Sequence, residues 1–184
     1  NLDQFMLWYS QAGTPKVNVI ERYGENTLTL DFEQILPNNR TKKLQPMVIP
    51  ISIGLLDENG IDLIETKVFE LKKPKDTLTF KGIEKKPTVS LLRKFSAPVT
   101  IEREITDRDR LTLLTKDSDA YNRWDASQQL MLASFEKIAF QKQEPNDELI
   151  NAFCQIMQDQ KLMPAFRAQL LSQPSISEII AHFF

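Results

Sequence analysis

The sequence predicts two segments of different class. Residues 1–105 read as an antiparallel β-sandwich of the Ig type with about seven strands. Residues 106–184 read as α-helical hairpins stacked in a solenoid, so the chain is α+β by segments. Three observations carry this. All five glycines (Gly13, Gly24, Gly54, Gly60 and Gly82) lie in the first segment, where turns need positive φ. Seven of the ten prolines lie there too, and the other three (Pro145, Pro164, Pro174) stand where helices should start or stop. The apolar period also changes, from two to three or four, across Phe95 to Asp107.

The first element is a short helical lead-in at 3–9, in which Asp3 is placed to cap a helix carrying Phe5, Met6, Leu7 and Trp8. So many large apolar residues exceed what a short segment can bury, so it should dock on the sandwich or on a neighbour outside the sequence. Thr14-Pro15 then opens a strand from Lys16 to Tyr23, and Gly24-Glu-Asn26 turns it into the next. There Leu28, Leu30, Phe32 and Gln34 alternate with Thr27, Thr29, Asp31 and Glu33, the pattern of a sheet with one wet face. A polar loop follows through Asn38-Asn39-Arg40, where Asn39-Arg40-Thr41 is formally a glycosylation sequon.

Met47 to Leu56 is apolar on both faces, as a central strand is, although Pro50 inside it implies an edge or a bulge. Asp57-Glu-Asn-Gly60 reads as a hairpin turn with Asn-Gly supplying positive φ, and lacks the further ligands of a calcium loop. Strands continue at about Leu63–Leu71, Thr77–Lys81, Thr88–Phe95 and Val99–Ile105, and turn lysines such as Lys72, Lys73 and Lys75 discourage edge pairing.

The helical segment begins at Thr106, whose hydroxyl can cap the amide of Asp109, with Leu111, Leu113 and Leu114 as apolar residues. The longest helix, about Asp119 to Gln143, should bury one face bearing Tyr121, Trp124, Met131, Phe135 and Ile138. Asn146 caps a helix with Leu149, Ile150, Phe153, Ile156 and Met157, and Pro164 opens one around Phe166, Leu170 and Leu171. Ser175-x-x-Glu178 is a capping box leading into Ile179, Ile180, Phe183 and Phe184. That last apolar stripe has no following repeat in the sequence, so it is expected to stay partly uncovered and to favour self-association.

Composition excludes several function classes. With 41% hydrophobic and 26% charged residues in 184, the chain can form a packed core. A net charge of −2 and a pI near 5.6 give no general attraction to phosphate backbones or anionic membranes. Cys154 is the single cysteine, so no intrachain disulfide or thiolate cluster forms, and its apolar helical neighbours imply a buried thiol. No apolar run approaches ~18 residues and no signal peptide leads the chain, so the expected location is cytoplasmic. The first residue is not methionine, and the chain is read as part of something longer.

Nothing in it is equipped for catalysis. His182 is the single histidine, so neither a paired-histidine metal site nor a triad can be built around it. No two glycines lie closer than Gly54 and Gly60, so there is no phosphate loop. Trp124-Asp125 beside Arg123 could be read as a charged-ligand site, but the plainer reading places Trp124 in the helix core and the charges at its rim. Asp107, Asp109, Asp117 and Asp119 cluster at helix starts, where capping explains them.

Asp3-Gln-Phe5 followed by Trp8-Tyr-Ser-Gln-Ala-Gly-Thr-Pro15 resembles the segment of bacterial aminopeptidase N that follows its thermolysin-like catalytic domain. Leu92-x-x-Phe95-Ser-Ala-Pro-Val99 and Asp119-x-x-x-Arg123-Trp-Asp-Ala126-x-Gln128 agree, in the same order along the whole chain. The resemblance implies a gluzincin-type zinc metallopeptidase as parent, with its Gly-x-Met-Glu-Asn and His-Glu-x-x-His motifs upstream; this sequence contains neither. It therefore implies no catalytic, cofactor or metal residue here, with zinc belonging to the parent. It implies that residues to about Ile105 are the linking sandwich, and that the helices from Thr106 open the C-terminal helical domain that covers the active site. The expected partners are the catalytic domain and remaining helices of the same parent chain, with peptides as the parent's substrates. Phe5, Leu7, Trp8, Tyr9, Ile179, Ile180 and Phe183 are the candidates for interdomain contact. The rival reading is a free-standing Ig-like plus helical-repeat interaction module.

Overall fold

The structure, a computed structural model, describes residues 2–36 and 45–183. The expected loop at Asn38-Asn39-Arg40, the sequon at Asn39 and the residue Phe184 lie outside the described residues. The chain divides into two compact units, Asn1–Asp57 with Asp62–Ile105, and Glu58–Ile61 with Thr106–Phe184.

The first unit opens with two single helical turns, α1 (Leu2–Phe5) and α2 (Leu7–Ser10), and continues as seven strands. These are β1 (Lys16–Gly24), β2 (Thr27–Ile35), β3 (Ile49–Leu56), β4 (Lys67–Leu71), β5 (Lys75–Lys81), β6 (Thr88–Leu91) and β7 (Thr100–Arg103). They form a four-stranded sheet in the order β5-β2-β1-β7 and a three-stranded sheet in the order β4-β3-β6. The pairs are antiparallel except β1 with β7, which run parallel from Lys16↔Thr100. That exception follows from connectivity: β7 returns from the other sheet to an open edge, with no hairpin to force reversal.

The expected alternation in β2 holds, with Leu28, Leu30, Phe32 and Gln34 buried. Gln34 is a polar residue on the core face, and every reachable bond is made. Its Nε2 donates to the carbonyls of Met47, Leu71 and Lys73, and its Oε1 accepts from Met47 N. A buried amide satisfied on both ends costs little, whereas an unsatisfied one would be expensive. Phe32 stacks on Phe69 across the core with ring centroids 5.0 Å apart.

One strand expectation and two turn expectations are corrected. Pro50 lies in the central strand and not at a sheet edge. It is tolerated because β6 pairs with β3 only from Ile53 onward. Pro50 also shares its side of the strand with Ser52, whose amide turns away from β4 to Ser96 Oγ, so no ladder donor is lost. In the first hairpin the positive φ angles fall on Glu25 (49°) and Asn26 (55°) rather than on Gly24. In the second, Gly60 (83°) has the positive φ and Asn59 does not.

In the second unit the helices are α3 (Asp107–Lys116), α4 (Ala120–Ala139), α5 (Asp147–Gln158), α6 (Pro164–Leu170) and α7 (Ile176–Phe183). Their starts follow the sequence signals. Thr106 Oγ1 accepts from Asp109 N, Asp119 Oδ1 from Asn122 N, and Asn146 Oδ1 from Glu148 N and Leu149 N. Ser175 and Glu178 bond reciprocally as a capping box. The buried face of α4 is not the expected aromatic one. Asn122, Ala126, Ser127 and Leu130 are buried, while Phe135 and Ile138 remain about four-tenths exposed. Small residues let α6 approach closely enough for Ser127 Oγ to donate to Leu170 O at 2.5 Å. Cys154 is half-buried, short of the full burial expected of it.

Candidate functional site

The lead-in has two faces of different chemistry. Gln4, Trp8 and Gln11 stand at offsets of four and seven, and so share one side. Gln4 Nε2 donates to the carbonyls of Pro46 (3.0 Å) and Lys72 (2.8 Å), and Trp8 Nε1 donates to Val48 O (3.0 Å). Gln11 and Gln45 exchange two bonds, amide Nε2 to Gln45 O and Gln45 N to Gln11 Oε1. These bonds tie the segment to the residues leading into β3 and following β4. Of the candidates, Leu7 and Trp8 are half-buried. Phe5 and Tyr9 face outward, with Tyr9 77% exposed, and their rings meet edge-on at 6.3 Å. Leu2 and Met6 are exposed as well. The result is a segment anchored by polar bonds that presents large apolar side chains to the outside. The sequence reading found the apolar residues but not the anchoring glutamines, whose shared helical face was the available signal.

The helical unit contains a cleft of about 530 Å³ between α4, α5 and the start of α7, lined among others by Phe135, Ile138, Leu149, Phe153, Leu171 and Ile179. Ile179 is half-buried in its wall. Phe183, also half-buried, closes an aromatic group, its ring 5.7 Å from Phe135 and 5.3 Å from Phe140. Ile180 does not join them and is 53% exposed. His182 is exposed and rests edge-on against Phe183.

Charged groups here bind the helices to one another. Arg123 is half-buried, donates from Nε to Leu114 O (2.9 Å) and lies over the Phe166 ring at 5.7 Å. Burial pulls its pKa down. Trp124 is half-buried beside Tyr121, whose hydroxyl is pushed up to about 12 by burial and the neighbouring Asp125 and Asp119. The Lys137 and Arg110 cations hold Asp107 below the usual carboxylate range, and the Ser175 cap does the same for Glu178. The carboxylates and Tyr121 thus move away from neutrality, the direction of pairing and burial and not of preparation for proton transfer. Among the described residues no group of His, Cys, Asp and Glu could hold a metal ion, so the zinc implied for the parent does not fit this donor set. Among the described residues no helix is long and apolar enough to cross a membrane.

Among the described residues, two sheets of seven strands in all, followed by five helices, define the class by architecture: an Ig-like sandwich joined to a helical-repeat unit. Residues 13–104 match the family described as a domain of unknown function (DUF3458) with an Ig-like fold, and the chain belongs to that family. Residues 107–183 match its companion, DUF3458_C, described as ARM repeats. Relatives along the whole chain are named aminopeptidase N. That of Escherichia coli K12 is 31% identical over 199 residues, covering 100% of this chain and 23% of the relative. That of Caulobacter vibrioides is 34% identical over 188 residues, covering 100% and 22%. A crystal structure of Legionella pneumophila aminopeptidase A in complex with aspartic acid superposes with a TM-score of 0.86 at 28% identity, covering 98% of this chain and 21% of that one. The chain thus spans less than a quarter of the length of these relatives, and the resemblance to aminopeptidase N holds throughout.

Proposed function

We propose that this chain is a non-catalytic structural portion of a zinc-dependent aminopeptidase N that removes N-terminal residues from peptides in the cytoplasm. In this reading residues 1–105 are the linking domain and 106–184 the first helices of the C-terminal domain, and the sandwich positions the helical cover over the parent's active site. The carrying observation is the match of the whole chain to 22–23% of the length of proteins named aminopeptidase N. Phe5 and Tyr9 then face the catalytic domain, from a segment whose Leu7 and Trp8 are half-buried, and Ile180 faces further helices of the parent, beside the half-buried Ile179 and Phe183. Aromatics of this size bury ~150–250 Å² each, and so much apolar surface is seldom left wet.

The test uses the full-length parent, read from the open reading frame that contains this sequence. Trp8→Ala is expected to lower the thermal midpoint or uncouple the unfolding of the domains, with bound zinc unchanged. Loss of zinc at an unchanged midpoint would overturn the framework role. A parent frame with no zinc motif and no aminoacyl hydrolysis would overturn the peptidase reading in favour of a free-standing interaction module.

A further inference from the structure

Three non-glycine residues within four positions, Leu92 (φ 56°), Lys94 (58°) and Phe95 (50°), lie in the left-handed region. Leu92 precedes, and Lys94 and Phe95 lie within, a 3-10 turn at Arg93–Phe95. Each such residue disfavours its conformation by roughly tenfold or more relative to a relaxed backbone, so something must hold the turn. Lys94 and Phe95 are exposed, whereas Arg93 is buried and bonded at all three guanidinium nitrogens. Its side chain is 4% exposed and donates from Nε to Ser90 Oγ (3.0 Å), from one terminal nitrogen to Thr66 Oγ1 (3.1 Å) and from the other to Asp62 Oδ1 (2.5 Å). The guanidinium lies against β3 at Gly54, where a Cβ would come within 2.0 Å of Arg93 Cζ. Ser96 Oγ completes the closure by accepting from Ser52 N at 2.9 Å.

We propose that the turn from Leu92 to Ser96 is a strained strap across the three-stranded sheet, latched by the Arg93–Asp62 pair, and that releasing the latch opens the strap while the sandwich stays folded. Leu92, 2% exposed, is the fixed end. The latch can open from its other side, because the Asp62 side chain is 34% exposed and lies in the connection between β3 and β4, bridged to Leu56. Opening relaxes the backbone at Lys94 and Phe95, moves the exposed Phe95 ring with it, and frees the Ser52 amide. Arg93 is a positioning residue in this device, acting through the backbone it holds.

Native-state amide exchange on this chain tests it. Asp62→Asn keeps the shape and removes the charge. It is expected to speed exchange at residues 93–96 and at the Ser52 amide by about tenfold, with the β1 and β2 amides unchanged. Lys94→Gly, which suits a positive φ, is expected to slow strap exchange in the wild-type background and to reverse much of the effect of Asp62→Asn. Unchanged strap exchange in Asp62→Asn would overturn the latch. A uniform rise across the sandwich would overturn it too, since the pair would then be part of the global core. Failure of Lys94→Gly to slow opening would overturn strain as the driving force.

Discussion

In the sandwich, Phe32, Ile49, Ile51, Ile53 and Leu55 are withdrawn completely from solvent, whereas in the helical unit Phe135, Ile138, Phe140, Ile150 and Ile180 each keep four-tenths or more of their surface exposed. Ten of the twelve fully buried large apolar side chains among the described residues belong to the sandwich, and only Leu114 and Leu170 to the helices. Two sheets face to face enclose an interior between them, while each helix hairpin of a repeat array closes only one side and leaves the other for a neighbour. The difference teaches where each unit's stability should reside: in apolar packing for the first, and to a larger share in caps, polar ties and ion pairs for the second.

The sharpest way to break that contrast is a cavity in the sandwich. Phe32→Ala removes a side chain that is 1% exposed and stacked on Phe69. It is expected to cost about 3–5 kcal/mol, read by denaturant titration as a lower midpoint with little change in slope. A loss below 1 kcal/mol would show that the interior collapses easily and is not the rigid half. The matching probe in the helices is polar. Ser127→Ala leaves Leu170 O without its buried donor and is expected to cost about 1–3 kcal/mol, seen as earlier loss of helical signal while the sandwich transition stays in place. An equal shift of both transitions would mean that the two units unfold as one.

Much of this contrast was legible in the sequence, for reasons that differ by element. Helix starts are decided locally, so Thr106, Asp119, Asn146 and Ser175 could be read from single side chains. The β2 alternation was equally plain because one wet face leaves a period of two. What could not be read were partnerships between distant positions. Gly54 looks like a turn glycine until Arg93, far along the chain, is seen occupying the space its Cβ would need. Pro50 looks like an edge marker until β6 is seen to begin pairing only at Ile53. The α4 face was misread because aromatic size suggested burial, whereas close helix approach selects small residues such as Ala126 and Ser127. At the contact surfaces the apolar candidates were visible as composition, but Gln4 and Gln11 gain meaning only from the carbonyls they reach.

Ion pairing gives a smaller handle on the helical half. Asp107 accepts from Lys137 Nζ at 2.7 Å and from Arg110 at 3.1 Å, which lowers its pKa from 3.8. A carboxylate with a lowered folded pKa contributes stability above its unfolded value, and that contribution is lost as pH falls through the folded one. Stability tied to Asp107 is therefore full at neutral pH, declines below about pH 4 and is gone in stronger acid. The pair is partly exposed, so the effect is small and screened by salt. Asp107→Asn is expected to lower the helical midpoint slightly at pH 7 and to approach wild type as pH falls through the lowered pKa of Asp107. A difference that does not narrow on acidification would assign the role of Asp107 to packing instead of charge.

The smallest expected effect decides most about the open side of the helices. Ile180 and Ile179 are adjacent on α7, yet Ile179 lines the cleft while Ile180 is 53% exposed. If the outer flank of α7 is surface in this chain, Ile180→Lys should change stability by no more than about 0.5 kcal/mol, as surface substitutions do. Ile179→Lys should cost several times that, because it places an ammonium against Phe135, Leu149 and Phe153. Hydrophobic-dye binding supplies the second reading. Ile180→Lys should reduce it, because a charge then interrupts the exposed stripe that runs from Ile176. Equal losses for the two variants would mean that α7 is covered on both sides, by a second copy of the chain or by its own helices, and sizing at rising concentration would tell those two apart. Unequal losses with reduced dye binding would keep the contrast intact: a sandwich closed upon itself, and a helical array whose outer face is offered to something else.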